Sequence, residues 1–379
     1  MRCIDTTARA LALEFYIMLR GFSILSRPAL HFATVPQTPA FRYTTRPPTM
    51  DTINIPDHAL IGQAAHIPTT KAVPTLSINP IEIPSPGRIV PLQARLTLPI
   101  SGTNIPIILL SHGQGSSNNL SSSRGYGPLV DFWASHGFAV IQATHLSSKL
   151  LSLDYKDAKT SGTPMFWRER VEDLKAILDH LGDIDAHTLH VAGRLDRTRI
   201  AVAGHSAGGH AAEILLGMKV KDPETDTILS MADSRIKAGL LLATLGNGDV
   251  NDFVRNLLPV FQYPDFSPMT TPALVVAADD DVSTHLTDRG ADWHMDPYTL
   301  SPGPKDLFVM KGGWHILGGI SGWDAAETKA EHESPERVAA VQRLTVAYLR
   351  STLYKGDGAW AEVVDAMKGL PELGTVEHK

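Results

Sequence analysis

Ser206 has the surroundings that best suit a nucleophile in this 379-residue chain. It lies in Gly204-His205-Ser206-Ala207-Gly208-Gly209-His210, after the apolar run Ile200-Ala201-Val202-Ala203 and before Ala211-Ala212-Glu213-Ile214-Leu215-Leu216. The pattern reads strand, sharp turn, helix, and a G-x-S-x-G at that junction is a nucleophile elbow. The serine of an elbow takes a strained backbone conformation, so the residues two on either side must lack Cβ atoms. The helix that follows directs its N-terminus at the serine, where an anionic intermediate would be stabilised. A serine hydroxyl is a weak nucleophile at its free pKa and requires an adjacent base, itself oriented by an acid.

On such an elbow the partners follow in the order serine, acid, histidine. The acid is expected in Asp279-Asp280-Asp281, behind the apolar strand Ala273-Leu274-Val275-Val276-Ala277-Ala278. Asp281 is preferred because it lies in the loop rather than at the strand's last pleat, and Asp279 is the alternative. Three adjacent carboxylates are more often a solvated turn, so at most one acts. The base is expected at His315, behind Leu307-Phe308-Val309-Met310 and two glycines that let the loop bend back. With 16 histidines in the chain, a histidine alone means little. His205 and His210 flank the serine and point elsewhere, while His285 and His294 follow no strand. An oxyanion hole is expected in Ser111-His112-Gly113-Gln114-Gly115-Ser116, with the backbone N–H groups of Gln114 and Ala207 as donors.

These loops need a frame, and the rest of the chain reads as one. Leu76 to Ile83 and Arg88 to Leu98 are expected to pair as an antiparallel hairpin about Pro84-Ser85-Pro86-Gly87. In the second, Leu92, Ala94, Leu96 and Leu98 alternate with polar neighbours, so one face is buried. Strands and helices then alternate. Apolar strands at Ile105–Leu110, Gly137–Ile141, Ala238–Ala243 and Leu307–Met310 interleave with helices at Leu129–Ser135, Glu169–Leu181 and from Ser334 onward. Ser334 suits an N-cap, with Pro335 in the first helical position. Such alternation implies an α/β fold, a mostly parallel central sheet with helices on both faces and the hairpin at its N-terminal side.

Ser111-His112-Gly113-Gln114-Gly115, Gly204-His205-Ser206-Ala207-Gly208-Gly209 and the Asp and His loops resemble the α/β-hydrolase superfamily. Within it, the chain looks most like the platelet-activating-factor acetylhydrolase, chlorophyllase and dienelactone-hydrolase group. Gly318-Gly319-Ile320-Ser321-Gly322 and Asp324-Ala325-Ala326-Glu327-Thr328 resemble uncharacterised microbial members. The likeness covers residues 76–355. It implies an α/β-hydrolase fold and a serine esterase with the triad Ser206, Asp281 and His315. Dienelactone hydrolases use a cysteine nucleophile where this chain has Ser206, and chlorophyllases have Arg where it has Ala207.

Composition bounds the partners. The net charge of −6 carries no basic nucleic-acid footprint. No apolar run approaches a membrane span. Cys3, the single cysteine, forms no internal disulfide and fits a reducing compartment such as the cytoplasm. Residues 1–49 carry six arginines, no lysine and two acids, which suits a mitochondrial presequence or a disordered extension before Met50. Residues 50–75 form a Pro-rich arm, 76–355 the catalytic domain and 356–379 a C-terminal tail.

Two long connections, 144–166 and 246–272, could cover the site. Phe253 and Phe261 in the second suit an apolar acyl or alcohol group of a small ester substrate, unless they pack on the sheet. The expected activity is hydrolysis of carboxylic esters through an acyl-enzyme, with no metal and no cofactor. Thioester hydrolysis or acyl transfer by the same triad, and a non-catalytic binding module, are the alternatives.

Overall fold

Six runs of apolar sequence lie side by side in parallel and form the frame. The computed structural model describes residues 58–153 and 163–379. The 1–49 extension, the first residues of the arm and part of the 144–166 connection lie outside the described residues. In chain order the strands are β1 (Thr75–Ile83), β2 (Leu92–Pro99), β3 (Ile105–Ser111), β4 (Ala139–Ala143), β5 (Leu195–His205), β6 (Val220–Lys221), β7 (Ile228–Leu229), β8 (Ile236–Leu242), β9 (Ala273–Ala278), β10 (Lys305–Met310) and β11 (Gly374–His378). Nine of them make one sheet in the order β1-β2-β4-β3-β5-β8-β9-β10-β11, and β6 and β7 pair apart. Pairing is parallel from β4 through β10 and antiparallel at β1–β2, β2–β4 and β10–β11.

Strands buried on both faces need side chains that are apolar at every position. β3 and β9 are buried along their whole length, and successive residues serve opposite cores. Ile107, Leu109, Val202 and Val275 meet one cluster, which takes Val171, Leu174 and Ile177 from α2 (Trp167–Asp179) and Ile214 and Leu215 from α3 (Ala207–Leu216). Ile108, Leu110, Ala203 and Val276 meet the other. It takes Leu129 and Trp133 from α1 (Gly127–Ser135), Val338 and Leu344 from α4 (Pro335–Leu353), and Val363 from α5 (Ala359–Met367). The sheet therefore has helices on both faces. β2 buries Leu92, Ala94, Leu96 and Leu98 fully on one face, and on the other Gln93 and Arg95 are partly exposed while Thr97 is buried.

The ends of the described chain are tied in. The arm packs Ala64 and Ile67 into the second core, and Gln63 N–H donates to Glu336 at 2.7 Å on α4. α4 begins as its cap residues require, with Ser334 Oγ accepting the Arg337 N–H at 3.2 Å. Residues 356–379, set apart in sequence as a tail, carry α5 and β11, so the sheet runs one strand further than the apolar runs indicate.

Strand order changes direction between β3 and β5: the chain moves outward to β4 on one side and, later, to β8, β9 and β10 on the other. In open α/β sheets a crevice forms beyond the carboxyl ends of strands at such a switch. β3 and β5 carry the Gln114 loop and Ser206 at those ends.

Candidate active site

Ser206 sits between β5 and α3 with φ +53° and ψ −121°. That left-handed conformation is costly for a residue with a side chain. The two flanking glycines are steric requirements. A Cβ on Gly204 would stand 2.1 Å from Gly208 O, and one on Gly208 would stand 2.1 Å from Ser111 O. The second contact seats the first turn of α3 against the end of β3, which brings the elbow beside the Gln114 loop. Ser206 N–H is tied to Leu242 O at 3.0 Å. The Ala207 N–H lies in the first turn of α3, where helix geometry supplies no acceptor.

Asp281 and His315 meet. His315 Nδ1 lies 2.9 Å from Asp281 Oδ2, and Asp281 is 2% exposed while the His315 side chain is 24% exposed. Burial pushes the Asp281 carboxyl up, but His315 and His294 beside it outweigh that and hold it well below the usual carboxylate range. A carboxylate acceptor fixes the proton of His315 on Nδ1 and leaves Nε2 as the free base. Asp279 does other work: its Oδ1 accepts the Gly312 N–H at 2.6 Å and shapes the glycine turn before His315. Asp280 is exposed, and its N–H donates to Gly313 O at 3.1 Å, clamping the two loops together.

His294, which follows no strand, also reaches Asp281. Its Nε2 lies 3.2 Å from Asp281 Oδ2 and 3.0 Å from Ser283 Oγ, and its Nδ1 lies 2.5 Å from Thr244 O. Asp281 thus has a histidine ring on each side, and Ser283 Oγ donates to its other oxygen at 3.2 Å. His285, nearby on the exposed side of the loop, is held below its usual pKa, first by partial desolvation and then by His315. Asp281, His294 and His315 bring ligand atoms within 4.8 Å of one another, the one group among the described residues that could hold a metal ion.

His205 is not positioned as a base, but it ties the site together. Its Nε2 lies 2.8 Å from His315 O, and Nδ1 lies 2.8 Å from Tyr126 OH. A carbonyl can only accept, so Nε2 carries the proton and Tyr126 donates to Nδ1. Tyr126 OH in turn accepts the Gly113 N–H at 2.9 Å. One chain of hydrogen bonds therefore runs beneath the serine from the Gln114 loop to the His315 loop. Burial, then His315, lowers His205 to a pKa of about 3, so the link stays uncharged at neutral pH.

The Gln114 loop is buttressed from two directions. From α2, Arg170 reaches His112 O at 2.6 Å, Gly113 O at 3.2 Å and Gln114 Oε1 at 3.0 Å. From the loop after β10, Glu327 accepts Ser117 N–H at 2.6 Å, Ser117 Oγ at 2.5 Å and Ser116 Oγ at 3.0 Å. Burial raises the Glu327 carboxyl and these donors more than reverse it, so it stays ionised.

The aromatic residues expected to bind substrate are placed differently from one another. Phe261 is 6% exposed and packs in the core, its ring edge-on to His210 at 4.7 Å. His210 is four residues past Ser206, so Phe261 reaches the elbow helix but offers little surface to a ligand. The Phe253 side chain lies outside the described residues. Val254, Leu258 and Val260 from the same connection are buried in the first core. No helix among the described residues is long and apolar enough to cross a membrane. Compared with known proteins, the chain matches no family model and no curated protein.

Proposed function

We propose that the protein is a serine hydrolase of the α/β-hydrolase kind that cleaves carboxylic esters through an acyl-enzyme. The observation that carries this reading is the contact of buried Asp281 with partly exposed His315, joined at 2.9 Å, on the sheet end that bears the strained Ser206. Ser206 Oγ attacks the ester carbonyl while His315 Nε2 takes its proton. The imidazolium so formed is stabilised by Asp281 through Nδ1–H. The N–H groups of Gln114 and Ala207 receive the charge that develops on the carbonyl oxygen. The tetrahedral species expels the alcohol, which takes the proton from His315. Water, activated by the same nitrogen, then releases the acid and restores Ser206.

Residues acting as one device lose activity non-additively. Ser206→Ala and His315→Ala are each expected to remove more than about 10³-fold of kcat, with the double variant hardly worse than either. A fluorophosphonate probe is expected to label wild type at Ser206 and to leave Ser206→Ala unlabelled. The reading includes no metal, so a chelator should leave the rate unchanged. Full activity of a folded Ser206→Ala on short acyl esters would sink the proposal.

A further inference from the structure

Arg170 is fully buried on α2, a helix with no place in the triad. Its guanidinium has three acceptors, all in the Gln114 loop: His112 O, Gly113 O and Gln114 Oε1. We propose that Arg170 is a positioning residue that sets the peptide planes of this loop so that the Gln114 N–H faces an oxyanion. The proposal rests on the serine-hydrolase reading and deepens it.

In a trans peptide the C=O of one residue and the N–H of the next point in opposite directions. The His112 carbonyl is drawn to Arg170, and the Gly113 N–H accordingly points away and finds Tyr126 OH at 2.9 Å. The Gly113 carbonyl is shared between the same guanidinium at 3.2 Å and His112 Nδ1 at 2.7 Å, and the two together turn the Gln114 N–H away in the same manner. Arg suits this task because its planar fork offers several donors in fixed directions, while Lys offers a point charge on a flexible stem. Burial lowers Arg170 to a pKa of about 10, which leaves it cationic at neutral pH. Beside the loop, α2 supplies a second support one turn on. Asp173 Oδ2 meets His145 Nδ1 at 3.0 Å, and His145 Nε2 meets Ser111 Oγ at 2.9 Å, at the foot of the same loop. Arg88 clamps Asp173 from the hairpin side at 2.8 Å. The helix thus holds the end of β3 at two successive points.

A donor aimed at the oxyanion acts on the transition state and barely on the bound ester, so the test is a split between kcat and KM. Arg170→Met is expected to lower kcat about 30-fold or more with KM within about threefold of wild type, given that loss of one oxyanion donor costs 10²–10³-fold. Affinity for an alkylboronic acid, a tetrahedral mimic, should fall with kcat/KM. Millimolar guanidinium, below denaturing levels, should restore part of the rate in Arg170→Met and none in Ser206→Ala. Arg170→Lys is expected to lie between wild type and Arg170→Met, and it carries the test if the methionine variant fails to fold. A folded Arg170 variant with kcat within threefold of wild type, or one whose loss lies in KM alone, would overturn the proposal. Ser206→Ala run in parallel separates the two failures: if it is inactive and the Arg170 variants are not, only the positioning role is wrong.

Discussion

Three adjacent aspartates with three different environments show how much a residue's surroundings decide its role. Asp281 holds His315, Asp279 holds a backbone amide, and Asp280 faces solvent. Asp281→Asn is expected to lower kcat by about 10²–10⁴-fold, since the amide favours the wrong histidine tautomer. Asp279→Asn should keep turnover within a few-fold and cost roughly 1 kcal/mol of stability, the worth of a charge-assisted bond to Gly312. Asp280→Asn should change neither. Steady-state kinetics and thermal melts of the three variants decide the assignment, and it fails if Asp279→Asn is the dead one. Ser206 permits a second check at this scale. A glycine adopts φ +53° freely, which removes roughly 1–3 kcal/mol of strain against about 0.5–1 kcal/mol of added chain entropy. Ser206→Gly is expected to be inactive yet to melt no lower than wild type, and a drop of several degrees would show that the serine is not strained. The contact of Asp281 with His315 was legible because Asp281 lies past the strand end. The contacts of His294 and Arg170 were not, because their partners are 11 residues or more away and meet only in the folded chain. One signal for Arg170 does exist: a charge that falls one residue before Val171, inside the apolar stripe of α2.

At the scale of elements, α3 carries a load that the elbow motif does not reveal. Glu213, within its buried length, is fully covered and accepts Thr244 Oγ1 at 2.7 Å, while its other oxygen has no partner. Burial raises its carboxyl well above the usual range, with the Thr244 bond opposing and Asp296 adding to the rise. A folded-state pKa above the unfolded value means the folded protein binds the proton more tightly. Its stabilising effect is complete below about pH 4 and is lost as pH rises toward the folded value, by up to about 1.4 kcal/mol per unit. Glu213→Gln removes this dependence. The variant should therefore gain melting temperature relative to wild type between pH 5 and pH 8, and an unchanged difference across that range would refute the assignment. Element boundaries followed sequence most closely where packing is two-sided. β9 spans Ala273–Ala278 as its apolar run indicates, and α4 starts after Ser334 as its cap indicates. β11 escaped notice for the opposite reason. Its residues Thr375 and Glu377 face solvent, so it is held by backbone hydrogen bonds to β10 and leaves no hydrophobic period.

For the molecule as a whole, the sheet, the elbow and all three site loops lie between Thr75 and Lys379. A chain begun at Met50 retains every one of them, and it is expected to match the full chain in ester turnover. An insoluble or inactive 50–379 product beside an active full chain would contradict this. The antiparallel strand at the far side of the sheet has a consequence of another kind. β11 covers the outer edge of β10, and Lys379 exchanges both backbone bonds with Lys305 at 3.0 Å. Without it, β10 would present an unpaired row of amides and carbonyls behind an apolar run, a template on which any extended chain can lie. Removal of residues 371–379 should therefore convert the protein into one that associates with itself as concentration rises, visible by light scattering before any loss of helical signal. β10 also leads directly into the His315 loop, so the same bare edge would draw neighbouring chains to the flank of the site and tie colloidal behaviour to turnover.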